Sequence, residues 1–319
     1  MGAAKDAPRE RLARVGEIEL AYEELGDPEG EPLLLVMGLG AQLIHWNPRF
    51  CELLGERGFR VIRFDNRDAG HSTTIDAPAP SRTVMMLGLK RGRAYSLDDM
   101  TDDAIGLLDQ LEIDSAHLVG ASMGGMIAQV AGYRHPRRVR SLGLIMTGSG
   151  KPIASLPRMR ALGTMMSKPA RTRPAFIELV TKTFGVIGSP DYPMDPDREA
   201  EFRDLLGESW DRGHHSAGVA RQLHAIISSG DRTRRLAAVR APTVVIHGAQ
   251  DPLVRPVAGR ILARAIPGAR LRVIPGMGHD LPPALFQEVA DVVAANAARP
   301  APASEGEPAP ESRASAARA

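Results

Sequence analysis

The chain has 319 residues, of which 43% are hydrophobic and 24% charged, a composition that predicts a globular protein with a large buried core. Its 40 basic and 38 acidic residues leave a net charge of +2, which gives no basis for nucleic-acid binding and favours a small-molecule partner. The single cysteine, Cys51, excludes an intramolecular disulfide and a multi-thiolate metal site, and we expect it to be buried in a helix.

No stretch of the sequence has the apolar length of a membrane span, and the charged first twenty residues lack an apolar targeting segment. We therefore expect a cytoplasmic protein. Alternating apolar residues around Gly16, at about 14–25, are typical of a hairpin of two antiparallel strands. Ser96 and the aspartates after it favour the start of a helix that runs to about residue 111. Further strands are expected at 32–37, 59–64, 116–120, 139–146, 242–247 and 271–274, and further helices around 50–54, after Ser122, at 257–266 and at 283–294.

This alternation indicates the α/β class, with a mostly parallel sheet of eight strands flanked by helices and joined by right-handed crossovers. It is interrupted at residues 150–235, which we interpret as a helical cap inserted after the sixth strand. The core is then formed by residues 1–149 and 236–297. Residues 298–319 have no large apolar side chain, and we expect them to be disordered. Cap helices are expected near 157–166, 173–184, 196–206 and 216–229.

The pentapeptide Gly120-Ala121-Ser122-Met123-Gly124 lies between a predicted strand and a predicted helix, the context in which G-x-S-x-G presents a nucleophilic serine. A turn this tight forces the serine backbone into a strained conformation, so the residues two before and two after it must be nearly bare. Gly120 and Gly124 meet that requirement. Ser122 could instead cap the helix, so the pentapeptide alone leaves both interpretations open.

A nucleophilic serine needs a base that takes its proton and an acid that orients the base. Asp251 and His279 both follow late predicted strands, where the reactive groups of a parallel sheet gather, and the order Ser, Asp, His fits this turn. An earlier acid is excluded, because no Asp or Glu occurs between Ser122 and Glu178. The sequence therefore predicts Ser122, Asp251 and His279 as catalytic residues.

The other histidines suit structural positions better. His117 and His247 fall in predicted strands, and we interpret them as structural residues. The pair His214-His215 has no suitably spaced acids or cysteines to complete a metal site, and we interpret it as two solvated side chains. His71, in a loop after a strand, is harder to dismiss and stays open as a residue that borders the site.

Reaction at an acyl carbon also needs N–H donors for the negative charge that develops on oxygen. The residue after the serine supplies one donor at the positive end of its helix, which predicts Met123. The glycines of Gly38-Leu39-Gly40 permit close approach of the backbone, so the N–H of Leu39 is the second candidate. A tight turn alone would also explain these two glycines.

Five short segments carry a recognisable pattern: VMGLG at 36–40, RFDNRDAGHS at 63–72, GASMGG at 120–125, GAQDP at 248–252 and PGMGH at 275–279. Together they resemble the α/β-hydrolase superfamily of esterases and lipases over about residues 12–297. The nearest resemblance is to the branch that contains aclacinomycin methylesterase, a carboxylic methyl esterase. It implies the α/β-hydrolase fold, the catalytic triad named above, and oxyanion donors at Leu39 and Met123. Many members carry histidine where this chain has Met37, a departure that the methylesterase branch tolerates.

These features predict a serine esterase that cleaves a small apolar ester, a methyl ester among the candidates, through an acyl-enzyme and without a cofactor or metal. Lactone hydrolysis, carbon–carbon bond hydrolysis, cofactor-free perhydrolysis and acyl transfer use the same triad and stay open, as does a non-catalytic ligand receptor. We expect the cap to line the substrate pocket, although the same side chains suit the cap's own core. The candidate lining residues are Met165, Met166, Phe176, Phe184 and Trp210.

Overall fold

The computed structural model describes residues 10–152, 157–165 and 169–300. Its strands are β1 Arg11–Val15, β2 Ile18–Gly26, β3 Glu31–Val36, β4 Phe59–Phe64, β5 Ala116–Ala121, β6 Val139–Ile145, β7 Thr243–Gly248 and β8 Arg270–Ile274. They form one sheet in the order β1-β2-β4-β3-β5-β6-β7-β8. β2 runs antiparallel to β1 and β4, and the remaining pairs are parallel. The predicted eight-stranded, mostly parallel sheet is confirmed.

The helices of the described residues are α1 Pro48–Gly55, α2 Arg82–Met86, α3 Leu97–Gln110, α4 Met123–Arg134, α5 Met159–Met165, α6 Arg173–Ile187, α7 Pro196–Asp211, α8 Ser216–Ser229, α9 Pro256–Ala265 and α10 Phe286–Ala297. Helices α5 to α8 lie between β6 and β7, which confirms the helical insertion after the sixth strand. The short α2 has no clear apolar periodicity and was not predicted. A separate 3₁₀ turn, Pro283–Leu285, precedes α10, so the last helix begins later than predicted. Within the described ranges, every helix is too short or too polar to traverse a lipid bilayer.

Neighbouring side chains of the central strands pack on opposite faces of the sheet. In β3, Leu34 and Val36 join one buried cluster with residues of α3 and α4, whereas Leu33 and Leu35 join a second cluster with residues of α1 and α10. All four are fully buried, as the continuous apolar run of a strand covered on both faces predicts. Cys51 lies in α1 within the second cluster, and burial raises the pKa of its thiol to about 12.

Local hydrogen bonds explain where two of these helices begin. The hydroxyl of Ser96 accepts from the N–H of Asp99 at 3.2 Å, and the N–H of Ser96 donates to the Asp99 carboxylate at 2.7 Å, a capping box at the start of α3. Asn47 accepts from the N–H of Arg49 at 2.9 Å at the start of α1. At the other end of the described chain, Arg299 donates to the carbonyl groups of Thr243 and Gly268. Residues 301–319 of the predicted tail lie outside the described residues.

Buried ion pairs attach the cap to the loop that follows β4. Arg212, next to the end of α7, donates to Asp65 at 2.6 Å. Arg221 of α8 donates to the two carboxylate oxygens of Asp68 at 2.6 and 2.9 Å. Both aspartates are almost completely buried, and charges taken out of water need such partners, so the pairs oppose separation of cap and core. The cap therefore contacts the core at the carboxyl ends of the strands.

Candidate active site

Ser122 lies in the turn between β5 and α4, where its backbone adopts φ 53° and ψ −114°. A Cβ on Gly120 would lie 2.2 Å from the carbonyl oxygen of Gly124, and a Cβ on Gly124 would lie 1.9 Å from the carbonyl oxygen of Val36. Both distances are far below van der Waals contact, so the requirement for bare residues on either side of the serine is confirmed. The Ser122 side chain makes no capping hydrogen bond to α4, which disfavours the alternative interpretation as a helix cap.

The hydroxyl of Ser122, the imidazole of His279 and the carboxylate of Asp251 form one hydrogen-bonded series. Oγ of Ser122 is 3.1 Å from Nε2 of His279, and Nδ1 of His279 is 2.7 Å from Oδ2 of Asp251. Asp251 is fully buried and His279 is 8% exposed, so water competes little for these hydrogen bonds. The structure thus brings together the three predicted residues in an arrangement that suits base-assisted nucleophilic attack.

Backbone amides hold the Asp251 carboxylate, and a second histidine lies beside it. Oδ1 accepts from the N–H groups of Leu253 and Val254, both at 2.9 Å, which leaves Oδ2 for His279. His247 lies nearby, with Nε2 3.7 Å from Oδ2, but its Nε2 is only 2.7 Å from the carbonyl oxygen of Val254, to which it donates. Burial lowers the pKa of His247, although the hydrogen bond to Val254 and the nearby carboxylate oppose that shift. His247 is therefore a neutral structural residue of β7 that braces the turn around Asp251.

The loop after β3 lies against the serine. A Cβ on Gly38 would be 3.3 Å from Cβ of Ser122 and 4.0 Å from its hydroxyl oxygen. The N–H groups of Leu39, in this loop, and of Met123, at the start of α4, donate no hydrogen bond to any of the described residues. The first N–H groups of a helix have no acceptor within it, so Met123 can donate outward. Both amides are thus available to a ligand oxygen beside Ser122, and their role as oxyanion donors stays a prediction.

Gln222, on cap helix α8, hydrogen-bonds to this loop. Its Oε1 accepts from the N–H of Gly40 at 2.8 Å, its Nε2 donates to the carbonyl oxygen of Arg67 at 2.8 Å, and the side chain is fully buried. Gly40 has φ 67°, and a Cβ there would lie 2.9 Å from Val219, so α8 packs directly on the loop. Sequence reasoning missed Gln222, because its function depends on where the cap docks and no local pattern marks it.

The cap also holds the loop that carries His279. The N–H of His279 donates to the carbonyl oxygen of Ile187, at the end of α6, at 2.7 Å. The hydroxyl of Ser189 accepts from the N–H of Gly278 at 2.8 Å and donates to Asp280 at 2.5 Å. Burial raises the pKa of the Asp280 carboxyl, which the hydrogen bond from Ser189 partly offsets. Two loops beside the serine therefore depend on cap residues for their positions.

The structure places three of the predicted pocket residues in contacts within the cap. The rings of Phe176 and Trp210 have centroids 5.6 Å apart, and Phe184 packs on a further cap phenylalanine with centroids 5.0 Å apart. Met166 and the side chain of Met165 lie outside the described residues. Substrate binding by these five residues stays a prediction.

Two other histidines differ in their surroundings. His214 stacks on Trp210 and packs at a tilt against Phe176, with ring centroids 5.0 and 4.5 Å away, and burial lowers its pKa. The interpretation of His214 as a solvated side chain is therefore wrong. The sequence does not reveal this contact, because Phe176 lies on α6, distant from His214 along the chain. His71 has Nδ1 2.5 Å from Glu10, at a half-exposed position. Over the ranges that the structure covers, no three His, Cys, Asp or Glu side chains are grouped as a metal site.

Comparison with known proteins agrees with this architecture. A sequence model of the alpha/beta hydrolase fold matches residues 31–282. Rhodomycin D methylesterases of Streptomyces peucetius and Streptomyces sp. (strain C5) are each 30% identical over 306 residues, which cover 89% of this chain and 97% of each relative. The crystal structure of the enol-lactonase from Burkholderia xenovorans LB400 matches with a TM-score of 0.66 and 26% identity, covering 89% of this chain and 97% of that one. The chain therefore belongs to the alpha/beta hydrolase family, as its motifs indicate.

Proposed function

We propose that the protein is a serine esterase that transfers an acyl group from an ester to water in two steps. The observation that carries this proposal is the series of hydrogen bonds from Ser122 through His279 to Asp251, at 3.1 and 2.7 Å. The strained backbone of the serine adds support, because such strain is commonly found at functional positions.

In the first step, Oγ of Ser122 attacks the ester carbonyl carbon while Nε2 of His279 takes the hydroxyl proton. The buried carboxylate of Asp251 holds Nδ1–H and stabilises the imidazolium that forms. The N–H groups of Leu39 and Met123 stabilise the negative charge on the carbonyl oxygen, an effect for which loss of one donor costs about 3 to 4 kcal/mol. The tetrahedral intermediate then collapses, the bond to the alkoxy oxygen breaks, and the alcohol leaves with the proton from Nε2.

In the second step, water attacks the acyl-enzyme. Nε2 of His279 takes a proton from the water as the new carbon–oxygen bond forms, and the same two N–H groups hold the oxyanion. Collapse breaks the bond between Oγ of Ser122 and the acyl carbon, and the serine recovers its proton from Nε2. The products are a carboxylic acid and an alcohol, and the free enzyme is regenerated.

We propose a methyl ester as the substrate, so that methanol is the alcohol released. This part rests on the relatives named rhodomycin D methylesterase, which match 97% of their length to this chain at 30% identity. Lactone opening is the second candidate, because a structure at 26% identity is that of an enol-lactonase. Opening a lactone would use the same attack on a carbonyl carbon, but the alcohol would stay attached to the acid.

A panel of methyl esters and lactones tests the proposal, with methanol and acid release as the readouts. We expect methanol release by the wild-type protein and its loss in Ser122→Ala, by a factor of about 10⁴ or more. Ser115→Ala is the matched control, since Ser115 precedes β5 at the opposite end from Ser122 and bonds to Arg140. Undiminished turnover in Ser122→Ala would refute the mechanism. Turnover of lactones alone would keep the mechanism and replace the substrate class.

A further inference from the structure

A polar cavity lies away from Ser122, between the end of α4, the end of α8 and the segment that joins α2 to α3. Its volume is about 100 Å³. Tyr133, on α4, is one of its lining residues and comes eleven positions after Ser122, which corresponds to about 16 Å along a helix axis. The cavity is therefore separate from the candidate active site.

The lining is strongly cationic. Lys90, Arg93, Arg232 and Arg235 line the cavity together with Asp98, which gives four basic side chains against one carboxylate. Among the described residues, none of these four basic groups forms an ion pair, whereas Arg212 and Arg221 elsewhere in the protein pair with buried aspartates. Like charges that share a small cavity repel one another, and an anion between them would relieve that repulsion.

Arg232 is the most buried of these cations, with 3% of its surface exposed. Its two Nη atoms donate to the carbonyl oxygens of Gly148 and Gly230, but its buried Nε has no hydrogen-bond partner among the described residues. Burial lowers the pKa of its guanidinium to about 10, so the group is still charged at neutral pH. The carboxylates of Asp231 and Asp98 oppose part of that shift, but neither forms an ion pair with Arg232 in the described part of the chain, so a bound anion would compensate its buried charge further.

The hydroxyl of Tyr133 is the second unsatisfied group in this lining. It is buried and has no hydrogen-bond partner in the part of the chain that the structure describes, although nearly all buried polar atoms of folded proteins have one. The side chain of Arg93, which also lines the cavity, makes a long contact of 3.5 Å to the hydroxyl of Ser228 and no other hydrogen bond to the described residues. Tyr133, Arg232 and Arg93 thus provide N–H and O–H donors with spare capacity around one small space.

We propose that this cavity binds a tetrahedral oxyanion, either inorganic phosphate or the phosphate group of a larger molecule. A volume of about 100 Å³ is enough for a group of a few heavy atoms. Guanidinium groups match phosphate oxygens in charge and geometry, and the phenol O–H adds a neutral donor.

The bound anion would lie where the cap joins the core. Arg232 belongs to the segment that returns from α8, and its N–H donates to the carbonyl oxygen of Ser149 in the outgoing segment at 2.8 Å. The side chain also reaches Gly148 at 2.9 Å, so the same residue links both connections of the cap. Anion binding should therefore stabilise the folded protein.

Isothermal titration calorimetry and thermal unfolding test the proposal with sodium phosphate, phenyl phosphate and a sodium chloride control at equal ionic strength. Arg93→Gln should weaken binding by at least about tenfold, and Tyr133→Phe by about threefold to fivefold. Arg91→Gln is the matched control, because Arg91 is exposed and adjacent in sequence but does not line the cavity. Its affinity should equal that of the wild-type protein.

Saturable one-to-one binding of phosphate or phenyl phosphate, with the predicted order of variants, supports the proposal. Binding of phenyl phosphate alone identifies a phosphate monoester as the ligand, and binding of both identifies the phosphate group itself. Without phosphate, Tyr133→Phe should be at least as stable as the wild-type protein, because the lost hydroxyl has no partner. No saturable binding of either compound to the wild-type protein, or equal affinity in Arg93→Gln and Arg91→Gln, would overturn it.

Discussion

Gln222→Leu removes the hydrogen bond that links the cap to the loop carrying Leu39, the proposed oxyanion donor. Gln222 is fully buried, and its amide joins the N–H of Gly40 to the carbonyl oxygen of Arg67, both at 2.8 Å. Leucine has a similar volume but neither accepts nor donates a hydrogen bond. The variant therefore leaves two partly buried backbone groups unsatisfied without creating a large cavity.

The expected cost can be divided between stability and catalysis. Each unsatisfied group costs about 1 to 3 kcal/mol, so the loss of both hydrogen bonds should lower the free energy of unfolding by about 2 to 6 kcal/mol. Complete loss of one oxyanion donor lowers kcat by a factor of about 10² to 10³. The variant displaces the Leu39 amide rather than removing it, so we expect kcat to fall by about tenfold to a hundredfold. KM should change little, because the interaction strengthens in the transition state.

Steady-state kinetics on the folded variant, combined with chemical denaturation, measure both quantities. Tyr95→Phe is the matched control: it removes the 2.5 Å hydrogen bond from the Tyr95 hydroxyl to Asp68, which also anchors the cap, without a contact to Gly40. Tyr95→Phe should lower stability with little change in kcat. An unchanged kcat in folded Gln222→Leu, or an equal loss in Tyr95→Phe, would refute the reasoning that Gln222 positions the oxyanion loop.

Three further predictions concern the fold. Gly124→Ala places a Cβ 1.9 Å from the carbonyl oxygen of Val36 and should lower the free energy of unfolding by about 3 kcal/mol or more. Its control is Gly185→Ala, in open space on α6, which should raise the free energy of unfolding slightly. Chemical denaturation measures both variants. Burial lowers the pKa of His45 to about 4, so the unfolded chain binds the proton first as the pH falls, and stability is lost between about pH 6.5 and 4. Over that pH interval, the free energy of unfolding of His45→Gln should fall by about 3 kcal/mol less than that of the wild-type protein. Equal decreases in the two proteins would contradict the assignment of this pH dependence to His45. Burial raises the pKa of the Cys51 thiol to about 12, so a thiol reagent should label it only as fast as the protein unfolds.

Local patterns predict the parts of this protein that are determined within a few residues. The apolar run of β3 predicts a strand covered on both faces, because Leu33 and Leu34 face opposite layers. Gly120 and Gly124 predict the sharp turn because backbone atoms occupy the space that a Cβ would need. The acid-free stretch after Ser122 leaves a late acid as the available partner. Ser122, Asp251 and His279 are distant in sequence but all follow the carboxyl ends of strands, which explains why they lie together.

Contacts between cap and core could not be predicted in this way. Gln222 reaches Gly40 across 182 positions, and Arg212 reaches Asp65 across 147, so neither pair produces a periodic signal. The prediction for His214 is wrong for the same reason, since its aromatic partner Phe176 belongs to a cap helix distant in sequence. Helix α8 was predicted with correct bounds, but its docked face depends on packing that a single sequence does not encode locally.

The central claim is that Ser122 is a nucleophile activated by His279. Labelling with a fluorophosphonate probe, followed by mass spectrometry of the digested protein, tests it directly. We predict one adduct on the peptide that contains Ser122, no adduct in Ser122→Ala, and strongly reduced labelling in His279→Gln with the fold retained. An adduct on a different residue, or labelling of Ser122→Ala equal to that of the wild-type protein, would contradict the account.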